Sequence, residues 1–166
     1  KEQARLLIGQ LSSVSDVKLD NLFTTRPIKN ELLIVVTSDR GLAGAYNSNV
    51  LKRLVTTVQE NKASKVKSSI ITIGRKAGKF VAKIDGVDHH SAYPMLGDQP
   101  SPQAIVPVIE DITSQYLESK VDSVKVIYTQ FISNLRQDVV TNSLIPYSID
   151  SDDKKTEVRE LSPLEV

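Results

Sequence analysis

Two glycine-bearing stretches hold residue types that could grip a phosphate. The first, Ser38, Asp39, Arg40, Gly41, Leu42, Ala43 and Gly44, follows an unbroken apolar run at residues 32–36 and precedes a helical pattern. Glycines let a backbone approach a ligand closely, and the free N–H groups at a helix start attract anions. The spacing is only G-x-x-G, without the third glycine of a dinucleotide fingerprint or the lysine of a P-loop. Turn conformation and tight helix packing are the plainer reading of Gly41 and Gly44. In the second stretch, Gly74 to Lys79, one residue too few separates the glycines, and Phe80 stands where a P-loop needs a hydroxyl for magnesium. A P-loop is rejected there.

Other constellations are thinner. His89 and His90, with Asp85 and Asp88 nearby, invite a metal reading. Neighbouring side chains on an extended segment point to opposite faces and do not converge on one ion, so both histidines read as solvated loop residues. No serine stands in a G-x-S-x-G elbow. Asp39 and Asp138 make a carboxylate pair only if the fold unites them. Arg75, Lys79 and Lys83, at four-residue spacing, form a basic stripe that suits an acidic protein or RNA, or else a solvated outer face. With three phenylalanines and no tryptophan, little is available to stack on single-stranded RNA. No catalytic, cofactor-binding or metal residue is assigned, and no cofactor is expected.

The elements that position these residues alternate. The β-branched run 32–36, bounded by turn residues, suits a parallel strand buried on both faces. Tyr46, Val50, Leu51, Leu54, Val55 and Val58 make the inner face of a helix over 45–59, broken at 61–67, and SSIITI at 68–73 is the next strand. Strand, helix and strand at this spacing form a right-handed crossover with parallel strands. A small helix over 75–84 would bury Ala77, Phe80, Val81 and Ile84. An irregular stretch, with a short strand at 87–93, leads to a helix over 101–119 that Pro107 either opens or kinks. VKVIYTQF at 124–131 and DVVTNSLI at 138–145 are strands joined too tightly for a crossover, hence antiparallel. The expected fold is α/β, a Rossmann-like mixed sheet of about five strands, mostly parallel with one antiparallel neighbour, and helices on both faces.

At 166 residues and 40% hydrophobic content, the chain suits one globular core. A net charge of +1 demands neither nucleic acid nor an anionic membrane surface. The absence of cysteine excludes disulfides, thiolate metal sites and a cysteine nucleophile. Both ends read as cut helical pieces or as frayed termini: Ala4, Leu7, Ile8 and Leu11 mark an amphipathic helix, and residues 150–160 are densely charged.

One longer resemblance overrides the ambiguity of the glycine loop. LLIVVTSDRGLAGAYNSNV resembles the signature of the γ subunit of F-type ATP synthases, a buried strand leading into S-D-R/K-G-L-C/A-G and then F/Y-N. Ser38, Asp39, Arg40, Gly41, Leu42, Gly44, Tyr46 and Asn47 match it. VKVIYTQFISNLRQDVVTNSLIP is similar to the family's later Y-T-x-F-x-S-x-x-Q segment through Tyr128, Phe131, Ser133, Gln137, Leu144 and Pro146, and Ile73, Gly74, Arg75 and Lys76 resemble its strand-end I-G-R/K-K. Ala43 replaces a frequent cysteine, Val139 or its neighbour a proline, and Ile145 a leucine, none removing a charge or glycine.

This resemblance implies a division into residues 1–25, the end of a shaft helix and linker; 26–150, a globular α/β domain; and 151–166, a charged linker towards a second shaft helix. It implies a non-catalytic central-stalk rotor that transmits torque between the membrane c-ring and the catalytic α and β subunits, with ε as a further partner. Nucleic acid is not expected, and membrane contact comes only through the complex, on the cytoplasmic side of a bacterial plasma membrane or the matrix side of a mitochondrial inner membrane. Ser38, Asp39, Arg40, Gly41, Leu42 and Ala43 would face the acidic tip of β, with Arg40 as the decisive charge; Arg75, Lys79 and Lys83 are a second candidate contact. The alternative is a small nucleotide- or phosphate-binding α/β enzyme using the loop 38–44.

Overall fold

The computed structural model describes residues 26–38, 45–94, 96, 100–133 and 135–146. The expected helical ends within 1–25 and 151–166, and Asp39, Arg40, Gly41, Leu42, Ala43 and Gly44, lie outside the described residues.

Strand β1 (Asn30–Val36) holds the apolar run, and Leu32, Leu33, Ile34, Val35 and Val36 are each at most 1% exposed. A strand so apolar on both faces requires a cover on each. Helix α1 (Ala45–Ala63), β2 (Lys67–Ile73), α2 (Arg75–Val81), β3 (Asp88–Tyr93), α3 (Pro102–Leu117), β4 (Ser123–Ser133) and β5 (Arg136–Ile145) follow in chain order. Their sheet runs β3-β2-β1-β4-β5, parallel except for β5, which pairs antiparallel with β4. The expected α/β sheet of five strands, with its antiparallel last pair, is what forms.

Alternation along β1 divides the core. Leu33 and Val35 meet Val50 and Leu54 of α1 and Ala77 and Val81 of α2. Leu32, Ile34 and Val36 meet Ile105, Val108, Ile112 and Tyr116 of α3. Truncating any of these fully buried β1 side chains to alanine costs about 2–5 kcal/mol. Since the helices cover opposite faces, the strand order reverses between β1 and β4, which makes that boundary the topological switch point.

Several boundaries differ from the sequence expectation, each for a local reason. Helix α1 continues to Ala63 because Asn61 stays helical and turns its amide to Glu31 Oε1 at 3.1 Å and to Ser68 Oγ at 3.1 Å. Helix α2 stops at Val81, so Lys83 lies beyond it, although Phe80 and Ile84 still pack against the α1 side. Helix α3 neither begins nor ends at Pro107: Ser101 caps it, Pro102 occupies its first turn, and Pro107 sits inside. Gln103, whose carbonyl Pro107 deprives of a donor, is exposed and open to water.

The histidines require a correction. They belong to β3, not to a solvated loop, and both are half-buried and bonded. The β2–β3 register shifts between Ile70, opposite His89, and Ile71, opposite Ser91, so a bulge forms at His90. His89 Nε2 meets Thr72 Oγ1 at 3.0 Å on the α2 side. His90 Nε2, Ser91 Oγ and Tyr93 OH reach Asp111 of α3 at 2.8, 2.7 and 3.1 Å. Burial opposes the charge on Asp111, but the bonds from Ser91 and His90 and the nearby His90 outweigh it and lower its pKa. Burial first, and then the charge of Asp111, pushes the Tyr93 phenol up to about 12. Adjacent histidines do point apart, as the extended-chain argument requires, and no group of three metal ligands occurs among the described residues.

Two further carboxylates fasten the amino end of the sheet. Glu31, 2% exposed, accepts from Ser123 Oγ at 2.7 Å and pairs with Lys125 Nζ at 3.2 Å, besides its bond from Asn61. Asp122 accepts from Arg26 Nε at 2.9 Å and from the N–H groups of Lys29 and Asn30 at 2.9 and 3.0 Å. Arg26 also donates to the carbonyls of Tyr116 and Val121 and lies 4.2 Å from the Tyr116 ring centre, a cation–π contact. Burial alone would raise the Asp122 pKa; the two backbone bonds and Arg26 lower it.

Asp111 and Asp122 thus have folded pKa values below their ordinary 3.8. Their stabilisation is complete above that unfolded value and is lost as pH falls through the folded one. We expect Asp122→Asn to cost about 2 kcal/mol at neutral pH, the scale of hydrogen bonds to a charged group. Thermal melting across acid pH should show a shallower loss below pH 3.8 in this variant than in the parent chain.

Candidate functional site at the switch point

In a doubly wound sheet, ligands and partners are met at the carboxyl ends of the strands beside the switch point, where the loop after β1 emerges. The route into that loop is tightly specified. Thr37, buried at the end of β1, donates its N–H to the Ile73 carbonyl at 2.8 Å. Its Oγ1 accepts the N–H of Ala77, in the first turn of α2, at 3.0 Å. Gly74, between β2 and α2, has φ 101°, and a Cβ added there would lie 2.2 Å from the Thr37 carbonyl oxygen. Only glycine fits this crossing. The Gly74 N–H in turn donates to the Tyr93 carbonyl at 3.0 Å, so the ends of β1, β2 and β3 are joined.

The next residue is held from the other side of the loop. Asn47, 7% exposed on α1, accepts the Ser38 N–H at Oδ1 (3.0 Å) and donates from Nδ2 to Ser38 Oγ at 3.0 Å. Ser38 is therefore tied to the first turn of α1. Asn47, Val50, Leu54 and Thr57 are the buried residues of α1. Their three- and four-residue spacing places Asn47 on the inner face, a signal that the apolar count alone passes over.

Of the candidate site residues, Ser38 sits at the switch point, while Asp39, Arg40, Gly41, Leu42 and Ala43 are outside the described residues. Arg75, Lys79 and Lys83 are exposed. Because α2 runs back along the sheet from the end of β2, only Arg75 of the three lies at the loop end. Asp138 sits on β5 and pairs with Arg136 at 3.0 Å. At the start of α2, the Gly74 and Ala77 N–H groups are already bonded to protein oxygens, so neither of these two donors is open to an anion. Thr37 and Asp111 escaped the sequence reading: one is a lone threonine after a strand, the other an acid off the apolar stripe of its helix.

The fold is a doubly wound α/β domain in which Thr37 and Ser38, leaving β1, are held at the switch point. Comparison with known proteins gives it a family. The model of the ATP synthase family matches residues 1–165. An ATP synthase gamma chain from Staphylococcus saprophyticus is 37% identical over 123 residues, 74% of this chain and 42% of the relative. ATP synthase gamma chain 2 of the Arabidopsis thaliana chloroplast is 31% identical over 142 residues, 86% of this chain and 36% of the relative. The chain belongs to this ATP synthase family, and the relatives it matches are gamma chains. It spans only about two fifths of their length, 42% and 36% in the two cases. Among solved structures, the fold is similar to a chain in the central stalk and c-ring of the Tetrahymena thermophila mitochondrial ATP synthase, with a TM-score of 0.56 and 17% identity over 94% of this chain and 75% of the other.

The clamp geometry has measurable consequences. Gly74→Ala should destabilise the domain by about 2 kcal/mol or more, because it combines a positive-φ penalty with a backbone clash. Asn47→Ala should cost about 1 kcal/mol, the worth of ordinary hydrogen bonds. Amide hydrogen exchange should reveal its local effect as faster exchange at Ser38, with the β1 amides nearly unchanged.

Proposed function

We propose that this domain is the globular body of a central-stalk rotor subunit, transmitting torque between a membrane c-ring and the catalytic α and β subunits, with no active site of its own. The observation that carries this reading is Ser38, the first residue of the stretch that matches the γ signature, held by Asn47 at the switch point of a chain from the ATP synthase family. Relatives called gamma chains and a structural neighbour from a central stalk and c-ring support it. In this reading residues 26–150 are the body, 1–25 the end of one shaft helix with its linker, and 151–166 the linker to the other.

Within the loop, Ser38, Asp39, Arg40, Gly41, Leu42 and Ala43 meet the acidic tip of β, with Arg40 opposite its carboxylates. An arginine in a contact that slides during rotation contributes about 1 kcal/mol or less, since the pair is exposed and screened. Arg75, Lys79 and Lys83 provide a second basic contact, towards acidic surfaces of the complex, and ε is a further partner of the body. No described helix is long and apolar enough to cross a membrane, which supports a peripheral place on the complex. Its side is the cytoplasmic face of a bacterial plasma membrane, or the matrix face of a mitochondrial inner membrane.

Arg40→Glu, introduced into the full-length subunit of the assembled enzyme, tests the assignment. Proton pumping per ATP hydrolysed should fall while thermal melting of the domain stays unchanged. An unaltered coupling ratio removes Arg40 from the contact.

A further inference from the structure

The two edges of the sheet are unlike. Edge strand β3 has six residues, is bent by its bulge, and has its side chains tied to Asp111. Such bulges are a usual device for blunting an edge against further pairing. Edge strand β5 has ten residues, among them the β-branched run Val139, Val140 and Thr141, and no proline. No strand lies beyond it among the described residues. The two register shifts it has lie near its ends, at Val124/Lys125 and Phe131/Ser133 of β4, so its middle is regular.

A groove of about 590 Å³ runs between this edge and α1, with Lys52, Arg53, Val139 and Val140 in its walls. Lys52 and Arg53 are exposed, and neither side chain has an ion-pair partner among the described residues. The one acid in the groove, Asp138, is already neutralised by Arg136. Thr141 Oγ1, on β5 itself, is buried without a hydrogen-bond partner. At the hairpin turn, Leu135 is 99% exposed and Ile132 49% exposed. The combination is a free row of backbone donors and acceptors, two unpaired cations alongside it and an apolar anchor at one end.

We propose that the outer edge of β5 is a docking site for an extended acidic strand of a partner protein, which adds to the sheet with its carboxylates against Lys52 and Arg53. Backbone pairing supplies affinity, as in other strand additions, and the cations set the sign of charge that is accepted. This inference concerns the edge of β5 and stands whether or not the stretch 38–43 meets β.

The test uses the full chain and two synthetic peptides, one alternating valine or threonine with glutamate and the other with lysine in place of glutamate. With the glutamate peptide, β5 amides that are not bonded to β4 should exchange more slowly, while β3 amides stay unchanged. Lys52→Glu combined with Arg53→Glu should weaken this peptide about tenfold, from loss of two exposed ion pairs and added repulsion, and strengthen the lysine peptide. Both residues are exposed, so the melting temperature should hold. Absence of slowed exchange on β5, equal binding of both peptides, or slowing confined to β3 overturns the proposal. Slowing that grows with chain concentration before any peptide is added also overturns it, and gives the edge to a second copy of the chain.

Discussion

The contact on which the arrangement depends is the crossing of Gly74 over Thr37, where no side-chain carbon fits between a turn and the end of the central strand. It sets how closely β2 can hand over to α2, and the Thr37 hydroxyl then takes up an α2 N–H that would otherwise be buried without a partner. Asn47 repeats the logic from α1, so the chain leaves β1 through two successive residues whose backbone directions are determined by neighbouring elements.

At the opposite end of the strands the problem is reversed: charges must be buried to hold the entry of the chain. Glu31 gathers α1, β1 and β4, and Asp122 gathers Arg26, the start of β1 and the turn before β4. A buried carboxylate costs several kcal/mol in lost hydration unless its oxygens are well supplied with donors, and both of these are. Between the two ends lies a core split by β1 into two apolar layers. Close-packed interiors of this kind have low compressibility, which suits a body that passes force from one contact to another without deforming.

How far this was legible from residues alone follows the physics of each element. The continuous apolar run 32–36 suits a strand covered twice, and the tight link between 131 and 138 is too short for a crossover and so points to antiparallel neighbours. Strand order was another matter, since alternation says that crossovers exist and not which edge each one reaches. The helical pattern stops at Gln59, short of the true end at Ala63, because Asn61 looks like a breaker when its partner, Glu31, is thirty residues away. The bulge at His90 has no local signature, and Asp111, the partner of His90, lies on a helix 21 residues on, so the sequence alone reads both histidines as solvated. At the loop itself, recurrence of the family's residue pattern carried the reading further than glycine spacing did, and Asn47 appeared in that pattern before its role as a clamp was visible.

The unequal edges of the sheet fit a body with contacts on several sides: one edge closed by a bulge and by hydrogen bonds to Asp111 of a helix, the other regular along its middle beside unpaired cations. The central claim, though, is that the stretch 38–43 is the working contact. Its most direct measurement is photocross-linking from a single reactive residue at position 42, in the full-length chain within the assembled enzyme, with the adduct identified by mass spectrometry. The account predicts an adduct on the catalytic β subunit. An adduct found only on the membrane ring, or none on any partner, would contradict it.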